Sequence, residues 1–266
     1  LFRSNEIAPR DFIFRVRELE QMEIEYFVDP RNQENVNQIF DQLFDDQMSF
    51  LKDDLGLSSS KIHKIDIDAN DRAHYSSRSV DTEFDFPFGQ KELLGLAYRT
   101  DYDLKAHTTA SGVDLSYFDE DSKDRFVPHC IEPTFGVGRL LLATLSDAYY
   151  EDDLGGETRS VLKLSPKIAP YVCAVSPLLK NKPELQTKAR EVFGMLKKQF
   201  GRVVYDDNGN VGKRYRRQDE IGTPYCITVD FETLEDNAVT IRDRDTMEQQ
   251  RLPVSELKVF IEKSLQ

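Results

Sequence analysis

Near its beginning the chain concentrates arginines among carboxylates: Arg3, Arg10, Arg15 and Arg17 stand beside Glu6, Glu18, Glu20, Glu23 and Glu25. Arginine forks suit phosphate oxygens bidentately, and carboxylates hold an ammonium or the amino group of a base. A surface strand laced with ion pairs has the same composition, so the residues alone leave both roles open. A second constellation is Gly136-Val137-Gly138-Arg139, where small residues let a ligand approach backbone and the arginine can meet a phosphate. It is neither a Gly-x-x-x-x-Gly-Lys-Ser/Thr loop nor the three-glycine dinucleotide fingerprint. Glu92 and Glu132, each in an apolar stretch, are candidate magnesium ligands or partly buried structural glutamates. Further on, Lys213-Arg214-Tyr215-Arg216-Arg217 gathers charge around an aromatic, which suits phosphate contacts and base stacking, or simply a solvated helix or loop face. His63, His74, His107 and His129 show no ligand spacing and no adjacent nucleophile, and no serine or cysteine triad is arguable.

Those residues need elements to position them, and 266 residues, 39% hydrophobic and 31% charged, suffice for two domains. Alternation of Phe12, Phe14 and Val16 with Ile13, Arg15 and Arg17 predicts a strand presenting a row of arginines. A helix is expected from Val36 to Leu55, then turn-rich antiparallel strands around Phe84–Phe86 and Glu92–Ala97. The Asp119-Glu120-Asp121 run reads as a solvated hairpin turn. Phe126 to Ile131 leads through the glycine turn into a buried helix over Leu140 to Leu145. Residues 151–160 are polar and glycine-containing and predict a linker or loop. Beyond it strands and helices alternate: Tyr171 to Ser176, a helical stripe from Leu185 to Phe200, Val203 to Tyr205, Tyr225 to Val229, Ala238 to Ile241, and a closing helix from Val254.

Net charge is −13, which would repel a polyanion, but it is unevenly spread. From Leu164 onward there are 17 Lys/Arg against 15 Asp/Glu, whereas residues 1–163 carry 18 against 33. The domain boundary is therefore placed at 163, giving domains 1–163 and 164–266. Cys130, Cys173 and Cys226 are widely separated and expected to be reduced structural thiols. No stretch reaches the roughly 18–20 apolar residues of a bilayer helix, no secretory leader is evident, and a cytoplasmic address is expected.

Read together, Phe2-Arg3 with Asn5-Glu6, Pro9-Arg10, Phe14-Arg15-Val16-Arg17-Glu18 and Met22-Glu23-Ile24-Glu25 resemble the second signature motif of class II glycyl-tRNA synthetases of the bacterial homodimeric type. Ala73-His74-Tyr75, Glu92-Leu93-Leu94-Gly95, Arg99 to Leu104 and His107-Thr108 are similar to that family's middle segment. Glu132 to Arg139 resembles its third motif, and Gly212 to Gly222 with Thr240 to Met247 its anticodon-binding domain. The resemblance implies an α+β fold: a class II catalytic core on an antiparallel sheet over 1–163, including motif 3, then an α/β mixed-sheet anticodon-binding domain over 164–266. It implies a glycine–tRNA ligase that activates glycine with ATP and Mg2+ and transfers it to tRNA(Gly), as a homodimer. Arg3, Glu6 and Arg139 would be catalytic. ATP would be held by these three with Asn5, Phe14, Arg15, Arg17, Leu19, Glu92, Leu93, Gly136 and Gly138. Glycine would lie among Glu23, Arg99, Glu132 and Thr134; magnesium would sit on Glu92 and Glu132, and tRNA on Lys213, Arg214, Arg216 and Arg217.

The chain also departs from that pattern. Two residues separate Arg3 from Glu6 where the family reads Arg-x-Glu, Leu19 stands in place of a phenylalanine that stacks on adenine, and Thr134 replaces a usual serine. The first motif and an upstream glycine-binding glutamate are expected before Leu1, so the chain reads as N-terminally incomplete. These departures motivate an alternative, a non-catalytic synthetase-like scaffold that binds tRNA or serves a polymerase as accessory subunit. A third reading is a relative specific for proline, threonine or histidine.

Overall fold

The computed structural model describes residues 2–5, 8–153 and 156–266, with the side chains of residues 2–4 outside that description. Contacts divide the chain into two units, one of Leu1–Asp53 with Leu57–Ser146, the other of Asp54–Gly56 with Asp147–Gln266. Charge balance divides the chain at 163, whereas the contacts place the intervening residues with the second unit.

In the first unit, β1 (Phe2–Asn5), β2 (Glu18–Glu23) and β3 (Tyr26–Val28) precede α1 (Gln33–Ser49). There follow β4 (Ile62–Asp66), β5 (Arg78–Phe86), β6 (Gly89–Thr100), α2 (Tyr102–Ser111), a small hairpin of β7 (Tyr117–Phe118) and β8 (Arg125–Phe126), β9 (His129–Gly136) and α3 (Val137–Ala148). One seven-stranded sheet runs β1-β2-β9-β6-β5-β4, with β3 also on β9, and its pairings are antiparallel. The stripe Val36, Phe40 and its partly buried neighbours Ile39, Leu43 and Phe44 lays α1 on the sheet, against Val80, Leu96, Tyr98 and Ile131. After a π turn over Phe50–Asp54 the chain reverses at Gly56, whose φ of 75° favours glycine.

The predicted arginine strand over residues 12–17 does not form. Asp11 and Phe12 take φ of 58° and 54°, a 3-10 turn spans Phe12–Phe14, and Arg10 and Arg15 exchange backbone hydrogen bonds of 3.0 and 3.2 Å. This is the hairpin loop joining β1 to β2, and it folds Phe14 inward while Phe12 is left in solvent. The α3 helix is only half buried: Ala143 is enclosed, but Leu141 and Leu145 are exposed.

The second unit contains a hairpin, β10 (Tyr149–Asp153) and β11 (Thr158–Leu162), where a linker or loop was expected. Its ionic side chains explain it. Arg159, 1% exposed, donates to Asp152 and to Asp219 of α5 (Val211–Ile221), tying the hairpin to that helix. The rest is a five-stranded mixed sheet, built from β12 (Cys173–Pro177), α4 (Pro183–Phe200), β13 (Val203–Tyr205), α5, β14 (Tyr225–Val229), α6 (Thr233–Asp236), β15 (Ala238–Asp243), β16 (Gln249–Pro253) and α7 (Leu257–Ser264). Strand order is β13-β12-β14-β15-β16, parallel on the first side and antiparallel on the second. Val175, Ile227, Val239 and Ile241 of the sheet enclose a core with Val192 and Leu196 of α4 and Leu257 and Ile261 of α7. Gly222 closes α5 at φ 84°, and a Cβ there would come 2.7 Å from Leu164.

Asp219 is fully buried and accepts from Arg242 at 2.8 and 3.1 Å as well as from Arg159 at 3.4 Å. Removing one member of such a group strands the others in low dielectric. Asp219→Ala should therefore destabilise the second unit by about 3–5 kcal/mol in urea unfolding; a loss below about 1 kcal/mol would mean that solvent reaches these arginines.

Candidate active site

A cavity of about 550 Å3 opens in the first unit between β2, β6, β9 and the start of α3. The strand-turn-helix order read from the glycines brings this about: β9 ends at Gly136 and α3 begins at the next residue. A Cβ at Gly138 would lie 3.2 Å from the Ile13 carbonyl, so a small residue lets the hairpin loop approach the helix start. Arg139 reaches back into the cavity. Its guanidinium lies 4.3 Å over the Phe14 ring, and its Nη1 donates to the Glu92 carboxylate at 3.0 Å and to the Glu92 carbonyl at 3.1 Å. Phe14 is itself held edge-on by Phe86 and Phe88.

Of the residues expected to hold ATP, Asn5, Phe14, Arg15, Leu19, Glu92, Leu93, Gly136, Gly138 and Arg139 line this cavity. Arg17 is exposed and is not among the lining residues. Glu6 lies outside the described residues, and of Arg3 only the backbone is described, in β1 opposite Glu20. Leu19 is a cavity-wall residue, so aliphatic surface stands where the family's phenylalanine was expected, and Phe14 is the aromatic ring on the wall among the described residues.

Thr134 belongs to this wall and to a second compartment. Along β9 it pairs with Glu23 of β2 on one side and with Gly95 of β6 on the other. Its hydroxyl donates to Glu132 at 3.4 Å, and Glu23, Glu25 and Glu132 bring carboxylate oxygens within 4.8 Å of one another. Among the described residues one arginine answers them: Arg99 donates from Nη1 to Glu132 at 2.9 Å and from Nε to Asp103 at 2.9 Å. Burial, then repulsion from Glu132 and Glu25, pushes the Glu23 carboxyl above its usual range. Burial does the same for Glu132 even though Arg99 opposes it. Carboxylates crowded in this way favour a cation that can share them.

The magnesium pair is not brought together. Glu132 stands opposite Ala97 in the β6–β9 register, five residues along the strand from Glu92, which places the two backbones roughly 15 Å apart. Two carboxylates that far apart do not ligate one ion. Glu92 serves the cavity and Glu132 the acidic compartment. A neighbour of Glu92, Asp81, has its carboxyl pushed up to about 6, by burial first and then by Glu92 and Glu83.

The basic cluster of the second unit divides too. Lys213 is exposed and Arg216 half-buried. Arg214, however, is 3% exposed, and donates to carbonyls of Pro177, Asp207 and Gly209. It ties α5 to the end of β12 and to the loop after β13, so it is a structural residue and not a surface cation. Arg217 is clamped bidentately on Asp206.

Two features escaped the sequence reading as site components. Glu25 and Cys130 meet at 2.9 Å, the thiol donating to the carboxylate. A carboxylate two residues from Glu23 was visible; its neighbour from 105 positions away was not. The other feature is an aromatic group at Arg99, whose guanidinium lies 4.1 Å over Tyr75, while His74 and Tyr102 share a 3.0 Å hydrogen bond beside it.

Comparison with known proteins fits this division. Residues 172–264 match the family model described as an anticodon binding domain. The chain is 47% identical, over 98% of its length, to a protein named glycine–tRNA ligase of Macrococcus caseolyticus, and covers 55% of it. It is 48% identical to those of Geobacillus kaustophilus and Clostridium tetani, again over 98% of the chain and 55% of each relative. The chain thus spans about half the length of the curated relatives it matches.

The crowding of Glu23 has a consequence for stability. A carboxyl whose folded pKa is raised contributes stability below its unfolded value and loses it as pH rises through the folded value. Glu23→Gln should therefore raise the melting temperature at pH 7, with the gain disappearing toward pH 4, where both forms are neutral. A drop at pH 7 would show that Glu23 is held by attraction instead.

Proposed function

We propose, from the premise that this chain is a homologue of the glycine–tRNA ligases, that its first unit joins glycine to ATP as glycyl-adenylate and its second unit engages tRNA(Gly). The first unit is then a class II catalytic core, and the mixed sheet its anticodon-binding partner. The observation that carries this reading is the position of Thr134, shared by a cavity of nucleotide size containing Arg139 and a compartment of converging carboxylates.

In this reading ATP occupies the cavity. The glycine carboxylate attacks the α-phosphorus and pyrophosphate leaves, so the protein supplies no nucleophile; it aligns the reactants and stabilises the charge that grows on phosphate oxygens. Arg139, which lines the cavity together with Arg15, is assigned to that task, pre-aimed by Phe14 and Glu92. Arg3 is assigned to the α-phosphate, and Glu6 to orienting the nucleotide, by resemblance to the family's second motif. Glycine's ammonium is met by Glu23 and Glu132, with Arg99 holding Glu132 in place. Magnesium accompanies ATP, and Glu92 is the carboxylate left to face it. Because the expected pair does not converge, no step is assigned to the ion.

Glycine offers no side chain, so selection against alanine must come from a wall at its Cα. Thr134 is assigned to that wall, and its methyl group makes it tighter than serine would. In the second unit Lys213 and Arg216 carry the share of phosphate contact that the cluster retains once Arg214 and Arg217 are committed internally.

Glycine-dependent exchange of labelled pyrophosphate into ATP tests the activity. Arg139→Ala should lower exchange by about 10^2-fold or more and leave tRNA affinity within about twofold. Persistent exchange with tRNA binding lost would overturn the division of labour, and exchange driven by another amino acid would overturn the substrate. For the second unit, neutralising both Lys213 and Arg216 should shallow the salt dependence of tRNA binding by about 0.7 per lost phosphate contact. An unchanged slope would remove them from the interface.

A further inference from the structure

Cys130 is a buried residue of β9, paired in register with Phe27 of β3 and separated from Glu132 by Ile131 alone. Its Sγ lies 2.9 Å from Oε2 of Glu25. Glu25 stands at the break between β2 and β3, where it is exposed and could extend into water. Repulsion from Glu23 and Glu132 favours that outward turn. Yet its carboxylate is gathered with theirs within 4.8 Å. Among the described residues the thiol is the one hydrogen-bond donor that reaches it.

We propose that Cys130 is a positioning residue for the acidic compartment: its thiol turns Glu25 inward, so that three carboxylates rather than two face the ammonium of the amino-acid substrate. This rests on the reading that the compartment takes glycine's ammonium. The thiol suits the task because it is small enough for the crowded strand interior and carries one proton to give. An ordinary thiol is protonated at neutral pH, so it is a donor there. A valine at this position would fill comparable space without a donor and let Glu25 leave.

The test is glycine binding to the whole chain in the presence of ATP, alongside ATP affinity and melting temperature. Cys130→Val should weaken glycine about tenfold with ATP affinity unchanged, and Cys130→Ser, which restores a donor, should stay within about threefold of the wild type. The infrared S–H stretch gives a readout independent of substrate: a low-frequency band that Cys130→Ser removes should shift upward in Glu25→Gln. Cys130→Val binding glycine as the wild type does, or an S–H band indifferent to Glu25→Gln, would overturn the proposal. So would a parallel loss of ATP, glycine and melting temperature, which marks a packing role. A wild-type chain that binds ATP but no glycine removes the underlying pocket reading, and the proposal with it, and is told apart by needing no variant.

Discussion

Like charges brought together need a reason, and the convergence of Glu23, Glu25 and Glu132 is the constraint around which the first unit is organised. Glu23 and Glu25 lie two residues apart at the end of β2, Glu132 comes from β9 more than a hundred residues later, and the antiparallel register sets Glu23 against Thr134 and Glu132 against Ala97. Arg99, itself braced by Asp103 and Tyr75, offsets part of the repulsion. The remainder is stored in raised carboxyl pKa values, which is how a site can favour a substrate cation over no occupant. The cavity next door is of mixed character, lined by Arg15 and Arg139 as well as by Glu18, Glu20 and Glu92, with a glycine where backbone must come close.

The second unit carries a different kind of ionic structure. Arg159, Asp219, Arg242 and Arg244 are all but removed from solvent, yet each guanidinium finds carboxylate or carbonyl partners. Such groups add little net stability compared with apolar packing but strongly disfavour rearrangement, because any shift leaves a buried charge alone. They hold the hairpin of β10 and β11 to α5 and fix the helix on which Lys213 and Arg216 are displayed.

Local periodicity made much of this legible. The α1 stripe, the strands at Phe84–Phe86 and Glu92–Ala97, the glycine turn into α3 and the helix from Pro183 followed from spacing. The failures share a cause. Alternation over residues 12–17 looked like a strand, but two residues at positive φ turn it into a loop, and Phe14 is buried for its contacts with Phe86 and Phe88. The run around Arg214 looked uniformly basic, yet one turn of helix points Arg214 at three carbonyls and Arg217 at Asp206. The polar stretch over 151–160 looked like a linker or loop because the partners of Arg159 lie in distant sequence. For the candidate site, residue types were visible but grouping was not: Glu92 and Glu132 share a composition and not a compartment, and the Cys130–Glu25 contact joins residues that only the sheet brings together.

On the proposed function, three carboxylates on one side of Thr134 and the cavity holding Arg139 on the other define where an amino acid meets a nucleotide. A crystal structure with a non-hydrolysable glycyl-adenylate analogue tests it directly. The account predicts the ammonium among Glu23, Glu25 and Glu132, the Cα against Thr134, and the adenosine in the cavity with Arg139. An analogue bound with its ammonium in solvent, or with its base in the acidic compartment, would contradict it.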